Sequence, residues 1–213
     1  MRRLLIVVLW LGWLVAPPVG ADEPPVILVL GDSLSAAYGM DTARAWPQLL
    51  QARLRAEGYP HRVINLSVSG ETTQGGLARL PQALAEHRPR LVVLQLGGND
   101  GLRGLPVEAM RDNLARMIAD SRSAGADVLL VGVRLPPNYG MTYTQRFHNV
   151  YVDLAEQVGV PLVPFILEGV AGRIDMMQHD GVHPTPAAQP QVLNNVWPHL
   201  EPLLAPAATS SRS

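Results

Sequence analysis

Two spacings of apolar residues alternate along this chain. Residues 26–30, Val-Ile-Leu-Val-Leu, form a short unbroken run ended by Gly31. That length and those flanks suit a strand buried on both faces. Residues 62–66, 91–96, 128–133 and 160–163 are further strand candidates. Between them apolar positions recur every three or four residues. Trp46, Leu49, Leu50 and Leu54 mark one helix, closed by Gly58. Leu77, Leu80 and Leu84 mark a second, capped by Thr72 or Thr73. A third begins at Pro106 and carries Val107, Met110, Leu114, Met117 and Ile118. Tyr143, Phe147, Val150, Tyr151 and Leu154 mark a fourth, and Val192, Val196, Leu200, Leu203 and Leu204 the last. Repeated strand–helix alternation predicts an α/β fold with a parallel sheet and helices on both faces. The strand–helix loops then gather at the carboxyl edge of the sheet, where such folds bind ligands.

The ends of the chain follow neither spacing. Arg2 and Arg3 precede an apolar run over residues 4–15, and a Pro-broken stretch ends in Val19-Gly20-Ala21. This is the order of a bacterial Sec-type signal peptide, with cleavage after Ala21. The alternative is a membrane anchor, but the run falls short of the about 20 residues a spanning helix needs. The expectation is therefore a periplasmic or secreted protein with no stable membrane anchor after cleavage. Residues 205–213 are small and polar and read as a frayed tail. No repeat or long linker divides the remainder. The expected organisation is a signal peptide over 1–21, one domain over 22–204 and a flexible tail over 205–213.

Composition narrows the chemistry. The 213 residues are 47% hydrophobic and 16% charged, with a formal net charge of -1. That balance gives no broad attraction to nucleic acid or to an anionic membrane. Cysteine is absent, which excludes disulfides, thiolate metal sites and a cysteine nucleophile. All 17 basic residues are arginine, so there is no Schiff-base or phosphate-loop lysine. Nucleophilic chemistry must lean on Ser, Thr, Asp, Glu or His.

Four loops hold the unusual residues. Gly31-Asp32-Ser33-Leu34-Ser35 follows the first strand and places a serine at a helix start, with hydroxyl and backbone N–H both free. A plain N-cap is the alternative. Ser67-Val68-Ser69-Gly70-Glu71-Thr72 follows the second strand, and Gly70 permits a backbone turn that aims its N–H at the site; a simple turn glycine is the alternative. Gly97-Gly98-Asn99-Asp100-Gly101 follows the third, clearing bulk so that the Asn99 amide reaches over the sheet edge as a donor to an oxyanion. A backbone-capping loop and a dinucleotide loop are its alternatives, and the glycine spacing is not that of a dinucleotide fingerprint. Asp180-Gly181-Val182-His183-Pro184 sets a carboxylate three residues before a histidine, close enough to hold Nδ1–H and turn Nε2 toward the serine. A surface turn, or a metal site shared with His179, would use the same residues. His61, His87, His148 and His199 read as surface or helix-face residues. Taken together the loops supply a nucleophile, three oxyanion donors, a base and its orienting acid, as an acyl-transfer site requires.

At these residues the chain resembles the SGNH, or GDSL, hydrolase superfamily, whose four motif blocks run in this order. Gly31 to Ser35 matches the nucleophile block, Gly70 and Asn99 the blocks of the oxyanion hole, and Asp180 with His183 the Asp-x-x-His block. The likeness spans about residues 26–204. It extends to the exported bacterial branch of multifunctional acyl-CoA thioesterases, lysophospholipases and arylesterases through Gly75-Gly76-Leu77-Ala78-Arg79-Leu80-Pro81, residues 97–104 and Leu135-Pro136-Pro137-Asn138-Tyr139-Gly140.

The resemblance implies a three-layer α/β/α, flavodoxin-like fold with a five-stranded parallel sheet in the order 2-1-3-4-5. It implies a monomer and needs neither cofactor nor metal. Ser33, Asp180 and His183 form the expected triad; the Ser33 and Gly70 N–H groups and the Asn99 side chain form the expected oxyanion hole. Asp32, Leu34, Gly101, Leu102 and Leu135 are the substrate-binding candidates, because the loops over 101–105 and 135–140 are apolar enough to line an acyl groove; ordinary loop packing explains the same composition. The expected partner is a small-molecule acyl ester or thioester. Export would remove the enzyme from cytoplasmic acyl-CoA and favour lysophospholipids and other short- to medium-chain esters. The alternatives are a carbohydrate O-deacetylase of the same superfamily, disfavoured by 5% aromatic content, and a non-catalytic acyl- or glycan-binding module, disfavoured by a complete triad.

Overall fold

The computed structural model describes residues 23–204. The signal peptide expected over 1–21 and the tail expected over 205–213 lie outside the described residues.

The apolar runs become strands. β1 (Val26–Gly31), β2 (Arg62–Asn65), β3 (Leu91–Gln95), β4 (Asp127–Val131) and β5 (Leu162–Val163) form one parallel sheet in the order β2-β1-β3-β4-β5. β1 and β3 are buried along their whole length, because each has a strand on both sides and helices above and below. β2 is an edge strand, and its polar ends Arg62 and Asn65 are exposed. β5 is shorter than the apolar run 160–163. The Val160 N–H closes the preceding helix on the Ala155 carbonyl, and Pro161 has no N–H to give a ladder. β4 stops at Val131, before the end of its apolar run, and the Gly132 N–H pairs with the Val163 carbonyl beyond the ladder.

The helical spacings become α1 (Trp46–Ala56), α2 (Thr73–His87), a short α3 (Gly98–Leu102), α4 (Val107–Ser123), α5 (Met141–Val158) and α6 (Gln189–Leu200). α1 packs with α6 on one face of the sheet, and α2, α4 and α5 pack in series on the other. Right-handed crossovers put them there. Thr72 caps α2 by accepting from the Gly75 N–H. α6 ends at Leu200, and Leu203 belongs to a following 3-10 turn.

Three local expectations are corrected. Ser33 does not start a helix: residues 33–39 form a string of turns, and the first α-helix begins only at Trp46. The third loop is helical, because Asn99 and its neighbours form α3. His61 is also not a surface residue. It is buried, with Nδ1 unpartnered, and burial lowers its pKa. Among the described residues, no helix is long and apolar enough to cross a membrane.

Candidate active site

All four loops leave the same edge of the sheet, and their side chains converge. Ser33 sits two residues beyond β1. Its Oγ lies 2.8 Å from His183 Nε2. His183 Nδ1 lies 2.7 Å from Asp180 Oδ2. The other Asp180 oxygen accepts the N–H of Val182 at 2.9 Å and of His183 at 3.0 Å. The carboxylate therefore folds its own loop and fixes the ring in one step. Desolvation works to raise the Asp180 pKa. The His183 N–H, the His183 ring and the Val182 N–H outweigh it and hold the pKa at about 2. The carboxylate is charged at any ordinary pH, and a charged acceptor on Nδ1 leaves Nε2 to take a proton from Ser33.

The donors lie beside this line. Gly70 adopts φ +80, a left-handed turn that favours glycine. Neither the Ser33 N–H nor the Gly70 N–H meets a protein acceptor among the described residues. The Asn99 Nδ2 group donates to the Glu71 carbonyl at 2.9 Å, which fixes the amide orientation and leaves its second N–H for a ligand. Arg103, at the end of α3, donates to the Gly70 carbonyl at 2.8 Å. α3 and its cap thus hold two consecutive carbonyls of the Gly70 loop.

Beneath Ser33 lies a buried polar chain. Trp46 Nε1 donates to Ser35 Oγ at 3.2 Å, and Ser35 Oγ donates to Gln95 Oε1 at 2.7 Å. Gln95 Nε2 donates to Asp32 Oδ1 at 3.0 Å, which also accepts the Leu34 N–H at 3.0 Å. Gly31 is needed where the chain passes over this network, since a Cβ there would meet Gln95 Oε1 at 2.8 Å and Ser35 Oγ at 2.9 Å. Asp32 is 2% exposed. Desolvation raises its pKa to about 6, against the lowering effects of the Leu34 and Gln95 hydrogen bonds and the nearby His183.

A cavity of about 620 Å³ opens beside Ser33 and His183. Leu34, Leu102 and Leu135 line it, together with Val133, Pro136 and Phe165. Asp32 reaches its floor, but the carboxylate is engaged within the protein. Gly101 does not line it. This glycine is buried behind the wall, where a Cβ would meet Phe147 at 2.6 Å and Leu135 at 2.7 Å. Its part is to let Leu135 and Phe147 close up against α3.

Four residues were not anticipated as part of the site. Gln95 carried a signal, as the one polar residue in the run 91–96. Trp46 was placed on a helix, without its indole donor to Ser35. Arg103 reaches back to a loop far away in sequence. The Tyr38 ring lies 4.2 Å from the His183 ring, on a contact that exists only once two distant loops meet. Among the described residues, no three His, Cys, Asp or Glu side chains converge as a metal site would.

The sheet order and the ring of loops at its carboxyl edge are those of the three-layer α/β/α architecture of the SGNH hydrolases. The sequence profile of the GDSL-like lipase/acylhydrolase family matches residues 29–189. The esterase TesA of Pseudomonas aeruginosa is 57% identical over 178 residues, which cover 84% of this chain and 89% of that protein. The thioesterase 1/protease 1/lysophospholipase L1 of Escherichia coli K12 is 44% identical over 184 residues, 86% of this chain and 87% of the relative. A crystal structure of TesA superposes with a TM-score of 0.82 at 57% identity, covering 84% of this chain and 99% of the other. The chain belongs to the GDSL-like lipase/acylhydrolase family and is a carboxylic ester hydrolase of the esterase and thioesterase class.

Proposed function

We propose that this hydrolase works through an acyl-enzyme on Ser33. His183 Nε2 takes the Ser33 proton as Oγ attacks an ester or thioester carbonyl. Asp180 holds the ring and stabilises its cation. The N–H groups of Ser33 and Gly70 and the Asn99 amide receive the oxyanion. His183 then protonates the leaving alcohol or thiol. Water, activated by the same base, releases the acid and restores Ser33. The observation that carries this reading is the unbroken line from Asp180 through His183 to Ser33, at 2.7 and 2.8 Å.

The apolar cavity favours an acyl chain over a sugar. Leu34, Leu102 and Leu135 offer it no hydrogen bond, so affinity should grow with buried chain length. Esters and thioesters with medium acyl chains, lysophospholipids among them, fit such a wall better than acetylated carbohydrate. The sequence of residues 1–21 supports export, which N-terminal sequencing of the released protein would test.

The test of the site is kcat/KM on p-nitrophenyl esters of two to sixteen carbons, with Ser33→Ala alongside. Activity should peak at medium chains and vanish in the variant, and a fluorophosphonate should label only the wild type. Activity confined to acetate would move the substrate to acetylated carbohydrate. Equal rates in both proteins would remove Ser33 from the chemistry.

A further inference from the structure

We infer that the mouth of the acyl cavity is a docking surface for a phospholipid bilayer. The observation is where this protein exposes large apolar side chains. Among the described residues, Tyr38, Val68, Leu105, Tyr139, Met141 and Ile174 are exposed, and so is Val152 on α5. The first six all sit on segments that follow strands at the carboxyl edge. They come from the turns after β1, the Gly70 loop, the segment after α3, the loop and first residue of α5 after β4, and the segment before His183. Ile174 is 97% exposed and Met141 85%, so neither is held by packing. Scattered single apolar residues are normal on a surface, but six of seven at one end of the sheet are not scattered.

Two lips result. Tyr38 also lines the cavity, and Ile174 belongs to the segment whose Gly172 and Met177 do so. Across the opening, the Tyr139 hydroxyl donates to the carbonyl of the cavity residue Leu102 at 3.1 Å, and Met141 follows two residues on. An apolar chain leaving a bilayer would pass between these tips without crossing water.

The charges at the mouth favour lipid headgroups. Arg103 and Arg134 are exposed there, and neither meets a carboxylate at ion-pair distance among the described residues. Arg134 lies over the Phe165 ring, 5.3 Å from its centroid, with its stem along the apolar wall. The nearby acids are mostly engaged: Glu71 with Arg79, Asp175 with Arg173 and Asp180 with His183. Asp41 caps a 3-10 turn. Apolar tips interleaved with arginines suit a lipid–water interface with anionic headgroups, where each tip finds chains and each guanidinium finds phosphate. A folded protein partner would instead need one continuous matched patch.

The inference is independent of the catalytic assignment, because binding is measured on the Ser33→Ala chain. Co-sedimentation uses vesicles of phosphatidylcholine alone and of equal parts phosphatidylcholine and phosphatidylglycerol. The chain should partition onto the mixed vesicles more strongly. Ile174→Ser and Met141→Ser should each lower the partition coefficient about tenfold, from the apolar transfer they remove. Arg103→Gln and Arg134→Gln should each lower it about fivefold on the mixed vesicles only. Val152→Ser, about 16 Å along α5 from Met141 at the helical rise, should leave it unchanged. With Ser33 intact, the Ile174→Ser/Met141→Ser chain should hydrolyse p-nitrophenyl acetate at the wild-type rate. Three results would overturn the inference: no binding by the parent chain, equal loss with Val152→Ser, or a dimer in sedimentation equilibrium that the Ile174 and Met141 changes dissolve.

Discussion

Two carboxylates flank the serine, and their surroundings give them opposite characters. Asp180 stands on the loop before α6, its side chain 39% exposed, and accepts three N–H donors. Asp32 stands under the turn after β1, 2% exposed, with both its donors on one oxygen. One pKa is held at about 2 and the other rises to about 6. The residue type is the same, and the sequence distance to the neighbouring site residue is short in both cases. Hydrogen-bond donors and water access make the difference. A charge opposite the imidazole is available because Asp180 has donors without deep burial. Asp32 serves instead as the hub of a buried polar chain reaching to Trp46.

The sharpest way to break this comparison is to remove the charge of Asp180 and keep its shape. Asp180→Asn presents an amide to His183 Nδ1, and either amide face can satisfy the ring. The wrong tautomer becomes available, and the imidazolium loses its counter-charge. In a triad such a change lowers kcat by roughly ten-thousandfold. Steady-state kinetics on a short p-nitrophenyl ester, with circular dichroism to show the fold intact, would measure it. A loss below tenfold would mean that the Asp180–His183 contact only shapes the loop.

Asn99 supplies a neutral member for the same comparison. Its amide is already oriented by the Glu71 carbonyl, so its N–H is aimed before substrate arrives. Removing one such donor costs roughly a hundred- to a thousandfold in kcat. Asn99→Ala should fall in that range and stay above Asp180→Asn, with KM nearly unchanged. If the two variants were equally slow, fixed dipoles would matter here as much as a full charge. A twofold loss would place Asn99 outside the reaction.

What could be read in the sequence, and what could not, follows the range of the interactions. Alternation of apolar runs with three- and four-residue spacing is local, and it located five strands and the five longer helices. Among the candidate site residues, Ser33, Gly70 and Asn99 were legible because each sits just beyond a strand or next to a helix, and Asp180 with His183 because a carboxylate three residues before a histidine is a local pattern. The errors came where distant segments decide. The turns over 33–39 replace a helix because Asp32 turns inward to Gln95, 63 residues away. Asn99 belongs to a helix too short to leave a periodic trace. Gly101 looked like a wall of the cavity, and its real neighbours, Phe147 and Leu135, come from later in the chain. Tyr38 against His183 needs the chain to return after 145 residues, and no spacing rule reports that.

The smallest expected effect tests the buried partner of the pair, through stability rather than rate. A raised folded pKa means the folded state holds its proton more tightly than the unfolded state does. Stability therefore falls as pH climbs from the unfolded value of 3.8 to the folded value of about 6, and the loss is complete above it. Asp180 behaves oppositely: its contribution is present above 3.8 and is lost only as pH falls through about 2. Across the interval from 4 to 7, Asp32 alone of the two should move. Asp32→Asn keeps an oxygen for Gln95 and Leu34 but cannot ionise. Measured by urea unfolding, the variant should match wild type near pH 4 and exceed it near pH 7. The pKa difference bounds that gain at about 3 kcal/mol. A difference that stayed constant with pH would show that water reaches Asp32 and that its environment resembles that of Asp180 after all. The contrast between the two carboxylates would then lie in their partners alone.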